Sequence, residues 1–518
     1  MKSDSRTASD QSARERIRCS LQENFIVEAA AGTGKTSELV RRIVAVLQNG
    51  LTTVGRIAAV TFTRKAAGEL KLRLRQELDR ARRESNEATQ NRNLETAIAQ
   101  LEEASVGTIH SFCADILRER PVEAGIDPGF EELSEDQAPR LFERAFGEWI
   151  ENKLNDPPAG LRRALSRSMS GYAGDKLSPL DRIKEAGWKL AERRDFPKPW
   201  RREPFEREKE MDGLVGSASE LAEKSSQCKK PADELFKALR PARDLAGRIQ
   251  RAERERRRDY DELEGLLLTL LRELKRNQKK GKGFFAPGVD RETVLKAREN
   301  LISGLEEFKV KADADLAALL KAELHGLIQR YEELKARSGA LDFVDLLIRA
   351  RDLVRDHQGI RLYFQQRFSH IFVDEFQDTD PLQAEILLLL SSDDPEERDW
   401  RNVRPVPGKL FLVGDPKQSI YRFRRADVLL YLEVKEALMR AGVRLLHLSQ
   451  SFRALPAIQQ LVNAAFESEI NGVPARSGKP PQHYCPSGTT ALWGLQRHQR
   501  GYRQLSSGYS GSVHPLAG

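Results

Sequence analysis

The sequence predicts an α/β protein built on a doubly wound parallel sheet that is interrupted by a large helical insertion. Five short runs rich in Val, Ile, Leu and Phe indicate buried parallel strands, and most lead into a helical pattern, as βαβ units do. These runs span residues 25–29, 56–62, 370–376, 408–415 and 444–449. Between about residues 122 and 340 the pattern changes to long charged segments with helical periodicity. In a doubly wound sheet the ligand lies at the carboxyl ends of the strands.

Chain length sets the expected domain organisation. At 518 residues the chain is too long for one core, so we expect two or three domains. We expect one lobe in two parts (1–121 and 341–449), the insertion (122–340), the start of a second, incomplete lobe (450–470) and an irregular tail (471–518). A chain cut short and continued by unrelated sequence, or a natural disordered tail, would each account for the last segment.

Composition indicates in which cellular compartment the protein is expected. The chain has no apolar run long enough to span a bilayer and no apolar stretch near its N-terminus, so we expect neither a membrane nor secretion. Its four cysteines are scattered without metal-ligand spacing, which indicates a reducing compartment, and we expect a cytoplasmic protein. The net charge of +8 is weak evidence for a nucleic-acid partner, because most of the excess follows Glu469, where no Asp or Glu occurs.

A glycine-rich corner follows the first predicted strand. Residues 29–36, AAAGTGKT, fit the Walker A spacing, with Ala29 in place of the usual opening glycine. Backbone N–H groups in such a loop converge on an anion. Lys35 is placed to reach the β- and γ-phosphates and Thr36 to coordinate Mg²⁺. A strand-to-helix turn without a ligand does not need Lys and Thr at these places. The predicted nucleotide-binding residues here are Ala29, Ala30, Ala31, Gly32, Thr33, Gly34, Lys35 and Thr36.

Two acids lie at the end of the third predicted strand, in the string HIFVDEFQDTDPLQ from His370. Asp374 is placed to hold Mg²⁺, directly or through a bound water, and Glu375 to polarise the attacking water. Surface acids in an ordinary loop are the alternative. The pairing of these acids with the glycine-rich loop predicts hydrolysis of a nucleoside triphosphate as well as its binding.

The next predicted strand runs into the string LFLVGDPKQSIYRFRRADV from Leu410. Gln418 is placed to bridge the γ-phosphate, whereas Tyr421, Phe423, Arg424 and Arg425 mix aromatic rings with guanidinium groups. Stacking on aromatic rings is worth about 1–3 kcal/mol per base, and arginines follow phosphates, so this mixture suits single-stranded DNA. The alternative is that both aromatic rings pack into the core, but their alternation with arginines argues against complete burial.

In this order, the motifs resemble the UvrD/Rep/RecB branch of superfamily 1 DNA helicases, and most closely its AddA-like and RecB-like members. The resemblance covers roughly residues 10–465 and implies a RecA-like P-loop NTPase lobe in an ATP-dependent 3′ to 5′ DNA helicase or translocase of recombination or repair. The strings that carry it are AAAGTGKT (29–36), VTFTRKAAGELKLRL (60–74), VGTIHSFCADIL (106–117), LDFVDLL (341–347), VDEFQDTDPLQ (373–383), GDPKQSIYRFRRAD (414–427) and LSQSFRALPAI (448–458).

The resemblance also implies roles for particular residues. Gln11 would read the adenine, Phe452 would lie against it, and Arg453 would reach the γ-phosphate from the neighbouring lobe. The implied partners are single-stranded or partly duplex DNA and a helicase/nuclease subunit. The residues expected to line the single-strand path are Phe62, Thr108, His110, Ser111, Tyr421, Phe423 and Arg424.

The chain departs from the family pattern after Phe466, since two further motifs of the second lobe do not follow. Two interpretations therefore stand beside each other: a helicase or translocase, and a truncated ATP- and single-strand-binding module without motor activity. A P-loop enzyme of another class, such as a nucleotide kinase, is disfavoured by the string GDPKQSIYRF.

Overall fold

A computed structural model describes residues 10–169, 178–196, 199–255, 258–420, 425–453 and 455–470. The chain divides into two compact units, Met1–Phe112 with Val354–Gly518, and Cys113–Leu353. The predicted tail, residues 471–518, lies outside the described residues, and the domain bounds drawn from the sequence stay a prediction. Strands and helices are numbered in chain order through both units.

The first unit contains the sheet that the sequence predicts. Among the described residues it has six strands in the order β3-β2-β6-β7-β1-β8, and every pairing is parallel. The α/β class with a parallel sheet is therefore confirmed. The strands are β1 (Phe25–Ala29), β2 (Ile57–Thr61), β3 (Ser105–Thr108), β6 (His370–Val373), β7 (Leu410–Gly414) and β8 (Arg444–Leu448).

Buried aromatic and branched side chains pack along the central strands of the sheet. Phe25 on β1 faces Phe411 on β7 in register, and Phe411 in turn faces Phe372 on β6. All three rings are at most 1% exposed, and the Phe25 and Phe411 rings pack edge to face with centroids 6.4 Å apart. Strands that are buried on both faces need such near-continuous apolar runs. Because all the strands are parallel, their carboxyl ends share one edge of the sheet.

Several helices of the first unit, among them α1, α2, α3 and α18, pack against strands of the sheet. Helix α2 begins directly after Gly34 and buries Leu39, Ile43, Val46 and Leu47, whose spacing is that of one helical face. The helices are α1 (Gln11–Cys19), α2 (Lys35–Gln48), α3 (Arg64–Glu84), α4 (Ala88–Ala99), the first residues of α5 (Ile109–Glu119), α17 (Gln358–Arg367), α18 (Pro381–Ser391), α19 (Val428–Arg440) and α20 (Pro456–Ile470); from Cys113 onward α5 belongs to the second unit.

The second unit is mainly helical, with the short parallel pair β4 (Glu131–Glu132) and β5 (Ala340–Leu341). Within the part of the chain that the structure describes, none of the helices is both long and apolar enough to cross a membrane. The helices are α6 (Pro121–Ala124), α7 (Gln137–Leu154), α8 (Ala159–Met169), α9 (Pro179–Ala191), α10 (Arg207–Ser226), α11 (Glu234–Ala238), α12 (Arg240–Glu255), α13 (Tyr260–Arg276), α14 (Arg291–Glu323), α15 (His325–Arg337) and α16 (Phe343–Asp356).

A buried ionic cluster joins several helices of this unit. The carboxylate of Glu264, which is fully buried, accepts hydrogen bonds from Arg163, Arg167 and Arg207. Arg163 also donates to Asp315 and to a main-chain carbonyl. Buried charges persist when they are paired in this way, so the high charge content of the segment is only partly a solvated surface.

Candidate functional site

The glycine-rich loop connects the end of β1 to the start of α2. Gly32 and Gly34 have φ values of +77° and +85°, in the region that favours glycine. A Cβ atom added at Gly32 would lie 2.5 Å from the Cβ of Arg453. The buried Thr33 donates its hydroxyl to the Ala30 carbonyl at 2.8 Å, which closes the turn. The first N–H groups of α2 therefore follow immediately on a fixed, tight loop, the arrangement that binds an anion.

The two predicted acids lie directly beside this loop. The Thr36 hydroxyl donates to Asp374 at 2.8 Å, and the Lys35 ammonium donates to Glu375 at 3.1 Å. The contacts arise because β6 and β1 are separated only by β7, so residues that follow each strand emerge at neighbouring positions on one edge. The structure thus brings the predicted phosphate-binding residues and the two predicted acids into direct contact.

Electrostatics at this edge favour a cation. Burial raises the pKa of Asp374 to about 6, and the negative charge of Glu375 adds to the shift, against the hydrogen bond from Thr36 and the charge of Lys35. Burial and the charge of Glu375 likewise raise the pKa of Asp378 to about 6. Three neighbouring carboxyl groups share one lysine, so an additional positive charge would stabilise their ionised forms.

The donor set fits Mg²⁺. This ion prefers oxygen ligands and usually takes only one or two from the protein, with water and phosphate oxygens supplying the rest. The hydroxyl of Thr36 and the carboxylate of Asp374 are such ligands and already lie together. Among the described residues no group of three His, Cys, Asp or Glu side chains could hold a metal ion by itself. The arrangement therefore fits an ion that a bound triphosphate helps to hold.

Gln377 is a site residue that the sequence did not single out. Its amide donates to Glu375 at 2.7 Å and accepts from the backbone N–H of Asp415 at 2.8 Å. The Ser419 hydroxyl donates to its carbonyl at 3.1 Å. Glu375 itself has a φ of +56°, a rare conformation that needs support from its surroundings. Gln377, which is 2% exposed, thereby joins the segment after β6 to the segment after β7.

Gln418 lies on the segment that Gln377 contacts. Its side chain donates to the Asp415 carboxylate at 2.6 Å. Asp415 also caps the following turn by accepting from the Lys417 N–H at 3.1 Å. The structure therefore places the predicted γ-phosphate partner on the exit of β7, with its amide engaged by a neighbouring acid.

The segment that follows β8 lies on the glycine-rich loop. Phe452 donates its N–H to the Gly32 carbonyl at 2.8 Å, and the Ser451 hydroxyl donates to the Ala31 carbonyl at 3.3 Å. Arg453 is next to Gly32, since its Cβ leaves no room there for a side chain. Gln11, on α1, donates its side-chain amide to Glu15 at 2.9 Å. The residues expected to bind adenine and γ-phosphate are thus in the same unit as the loop.

The predicted single-strand path starts at the same edge of the sheet. Phe62 follows β2, Thr108 ends β3, and His110 and Ser111 lie in the first turn of α5. The Thr108 hydroxyl accepts from the Ser111 N–H at 3.2 Å, which fixes the start of that helix. A narrow crevice is lined by Phe62 together with residues of the acid pair. Tyr421, Phe423 and Arg424 lie outside the described residues.

A glycine-rich loop between a parallel strand and a helix, with two acids after a second strand of the same sheet, defines the class of P-loop nucleoside triphosphatases. Comparison with protein families narrows the class. The family described as "UvrD/REP helicase N-terminal domain" matches residues 9–438, and the chain belongs to this family. The resemblance drawn from the motifs is thereby confirmed.

Similar proteins are named as ATP-dependent helicase/nuclease subunits. The chain is 27% identical over 483 residues to the protein of Pediococcus pentosaceus and 27% identical over 500 residues to that of Lactobacillus delbrueckii subsp. bulgaricus. It is 28% identical over 493 residues to a Staphylococcus aureus protein of the same name. Each comparison covers 86% of this chain and 38% of the relative, so the chain spans well under half the length of these relatives.

Proposed function

We propose that this chain is the ATP- and single-strand-binding part of an ATP-dependent 3′ to 5′ DNA helicase or translocase that acts in recombination or repair. The observation that carries the proposal is the meeting of Lys35 and Thr36 with Glu375 and Asp374, at 3.1 and 2.8 Å, in a chain of the UvrD/REP family. A lysine and two carboxylates that meet beside a glycine-rich loop suit a charged ligand such as a triphosphate with its metal ion.

The phosphates of ATP bind in the glycine-rich loop, from Ala29 to Thr36. Lys35 exchanges its contact with Glu375 for one with the phosphate oxygens, which releases Glu375 to accept a proton from the attacking water. Thr36 and Asp374 would hold Mg²⁺, which would neutralise charge on the phosphates. Gln377 holds the Glu375 carboxylate through its side-chain amide, so the base keeps one orientation.

The remaining ATP contacts come from three segments of the same unit. Gln11 reads the adenine edge, Phe452 stacks on the adenine ring, and Arg453 reaches the γ-phosphate. The side-chain amide of Gln418 exchanges its hydrogen bond with Asp415 for one with the γ-phosphate. This assignment is supported by the hydrogen bonds of Ser451 and Phe452 to loop carbonyls, by the position of Arg453 next to Gly32, and by the place of Gln418 at the exit of β7.

Single-stranded DNA runs along the carboxyl edge of the sheet, over Phe62, Thr108, His110 and Ser111. Tyr421, Phe423 and Arg424, which follow Gln418 closely in the sequence, supply stacking and phosphate contacts. Partly duplex DNA is the expected substrate, and because the relatives are named as helicase/nuclease subunits, a second protein of that kind is the expected partner.

DNA-stimulated ATP hydrolysis by the wild-type chain and three variants tests the proposal. Lys35→Ala should abolish ATP binding, whereas Glu375→Gln should keep binding and lower turnover by about 10²–10⁴-fold, the usual effect of losing a general base. Lys189→Ala, which changes an exposed lysine of α9, is the matched control and should behave as wild type. Unchanged turnover in Lys35→Ala would refute the assignment. ATP binding without turnover in the wild type would favour the module without motor activity.

Polarity needs its own measurement. Strand displacement is followed on duplexes that carry either a 3′ or a 5′ single-stranded tail. A 3′ to 5′ enzyme should act only on the 3′-tailed duplex in the presence of ATP. Displacement of the 5′-tailed duplex alone would overturn the proposed direction and leave the ATP site untouched.

A further inference from the structure

The Arg14 side chain occupies a buried position between α1 and the phosphate-binding loop. Its guanidinium is 5% exposed and forms a two-pronged ion pair with Asp10, at 2.7 and 3.0 Å. The same group donates to the carbonyl of Thr33 at 2.9 Å and to the Glu38 carboxylate at 3.2 Å. Arg14 is therefore held in one orientation from three sides, and one of those sides is the loop itself.

Asp10 extends this network to the segment that follows β8. Its carboxylate accepts the backbone N–H groups of Ser449 and Gln450, at 2.7 and 3.0 Å. Burial alone would raise the pKa of Asp10, but the hydrogen bonds from Arg14 and from these two N–H groups outweigh it and lower the pKa. The ionised pair thus ties the start of α1 to the segment that carries Phe452.

The ring of Phe452 packs against this fixed guanidinium. The central carbon of Arg14 lies 5.1 Å from the ring centroid, within the distance of a cation–π contact. The Phe452 residue nevertheless remains 66% exposed. An exposed ring on a loop would ordinarily change rotamer freely, so a rigid guanidinium on part of its surface restricts the ring and leaves the remainder available for stacking.

We infer that Arg14 is the positioning residue for the nucleotide base: held by Asp10 and Glu38, it fixes Phe452 as a stacking platform beside the phosphate-binding loop. The ligand of this platform is an aromatic base that is joined to the phosphates in the loop. This inference rests on the proposed function, because the platform acts on a nucleotide whose phosphates are bound there. Arg14 therefore contributes to binding of the nucleotide base and not to binding of the phosphates.

Equilibrium binding of two probes to the full chain separates these contributions. ATP needs both the platform and the loop, whereas inorganic tripolyphosphate needs only the loop. Arg14→Met should weaken ATP binding about 5-fold or more, the size of a partly desolvated cation–π contact, and leave tripolyphosphate binding unchanged. Phe452→Ala should do the same. Arg16→Met is the matched control on the same helix, because Arg16 makes an exposed ion pair with Glu23, and it should change neither affinity.

A double-mutant cycle tests whether Arg14 acts through the ring. In the Phe452→Ala background, Arg14→Met should cause no further loss of ATP affinity. Additive losses would overturn the inference, and so would an equal loss of tripolyphosphate binding in Arg14→Met. Arg14→Lys keeps the buried charge but loses the two-pronged bond to Asp10, so it replaces Arg14→Met in the same cycle if that variant does not fold. Failure of the wild-type chain to bind either probe would instead overturn the proposed function.

Discussion

The hydroxyl of Thr36 and the carboxylate of Asp374 lie 2.8 Å apart, although 338 positions separate them in the chain. Thr36 is in the first turn of α2, and Asp374 directly follows β6. Strand β7 lies between β1 and β6, so the sheet order alone decides that these two oxygen ligands meet. Two oxygen atoms of this kind at this position fit the protein's share of the proposed Mg²⁺ site.

Two replacements of Thr36 test whether its hydroxyl oxygen, and not the shape of its side chain, contributes to Mg²⁺-dependent ATP binding. Thr36→Val keeps the shape but removes the oxygen, and it should lower the Mg²⁺-dependent affinity for ATP by about tenfold, the size of one lost ligand contact. Thr36→Ser keeps the oxygen and should retain most of the affinity. Titration of Mg²⁺ at fixed ATP measures both. Equal affinities of Thr36→Val and wild type would contradict the metal assignment.

Gly32→Ala should disturb both the loop and the segment that lies on it. The alanine would have to adopt a φ of +77°, which strains a residue with a side chain. Its Cβ atom would also lie 2.5 Å from the Cβ of Arg453. We expect a loss of about 1–3 kcal/mol in the free energy of unfolding and weaker ATP binding. The control is Gly68→Ala in α3, where no atom lies within 4 Å of the new Cβ and the protein should gain roughly 1 kcal/mol. Denaturant unfolding distinguishes the two, and equal effects would count against the steric argument.

His370 should make the fold sensitive to acid. Burial, together with the charges of Arg42 and Lys409, lowers its pKa from 6.5 to about 4. The unfolded chain therefore binds a proton near pH 6.5 that the folded chain binds only near pH 4. The free energy of unfolding should fall as pH falls through this window, by about 3 kcal/mol at most.

His370→Gln should remove that part of the pH dependence. Asp374 and Asp378, whose pKa values are raised, contribute with the opposite sign because the folded chain binds their protons more tightly. They are present in both proteins, so the difference between wild type and variant isolates the histidine. Denaturant unfolding at about pH 7 and about pH 5 is the measurement, and parallel pH profiles would be inconsistent with a buried neutral histidine.

The helical unit should depend strongly on Glu264. Glu264→Gln removes the charge that three buried or partly buried arginines share, and we expect about 3–5 kcal/mol of destabilisation. Arg144→Ala breaks an exposed pair with Glu148 in the same unit and should cost about 1 kcal/mol or less. Chemical denaturation of the two variants compares a buried network with a surface pair. Similar losses would show that Glu264 is not the centre of a buried network.

The sequence predicted every strand of the main sheet except β3. The predicted strands are apolar runs, whereas SVGT at β3 is a short, mixed string that becomes a strand because it pairs with β2. The glycine-rich loop and the acid pair were predictable because each is a local pattern. The contacts of Gln377 were not, since its bond to Asp415 depends on the register of β6 against β7, in which Val373 faces Leu412. The contacts of Arg14 and Asp10 with residues 449–452 were not predictable either, because they depend on where β8 ends relative to α1.

The order of the sheet has a consequence for synthesis of the chain. Within the described part of the chain, strand β1 pairs only with β7 (from Leu410) and β8 (from Arg444), both of which follow the helical unit in the sequence. On the ribosome, β1 must therefore wait, with both edges unpaired, while the whole helical unit emerges and has time to close its own cores. Unpaired apolar strands are templates for aggregation. Nascent chains stalled before β7 should thus be the forms that most need a chaperone, and the nucleotide site is among the last parts of the first unit to become complete.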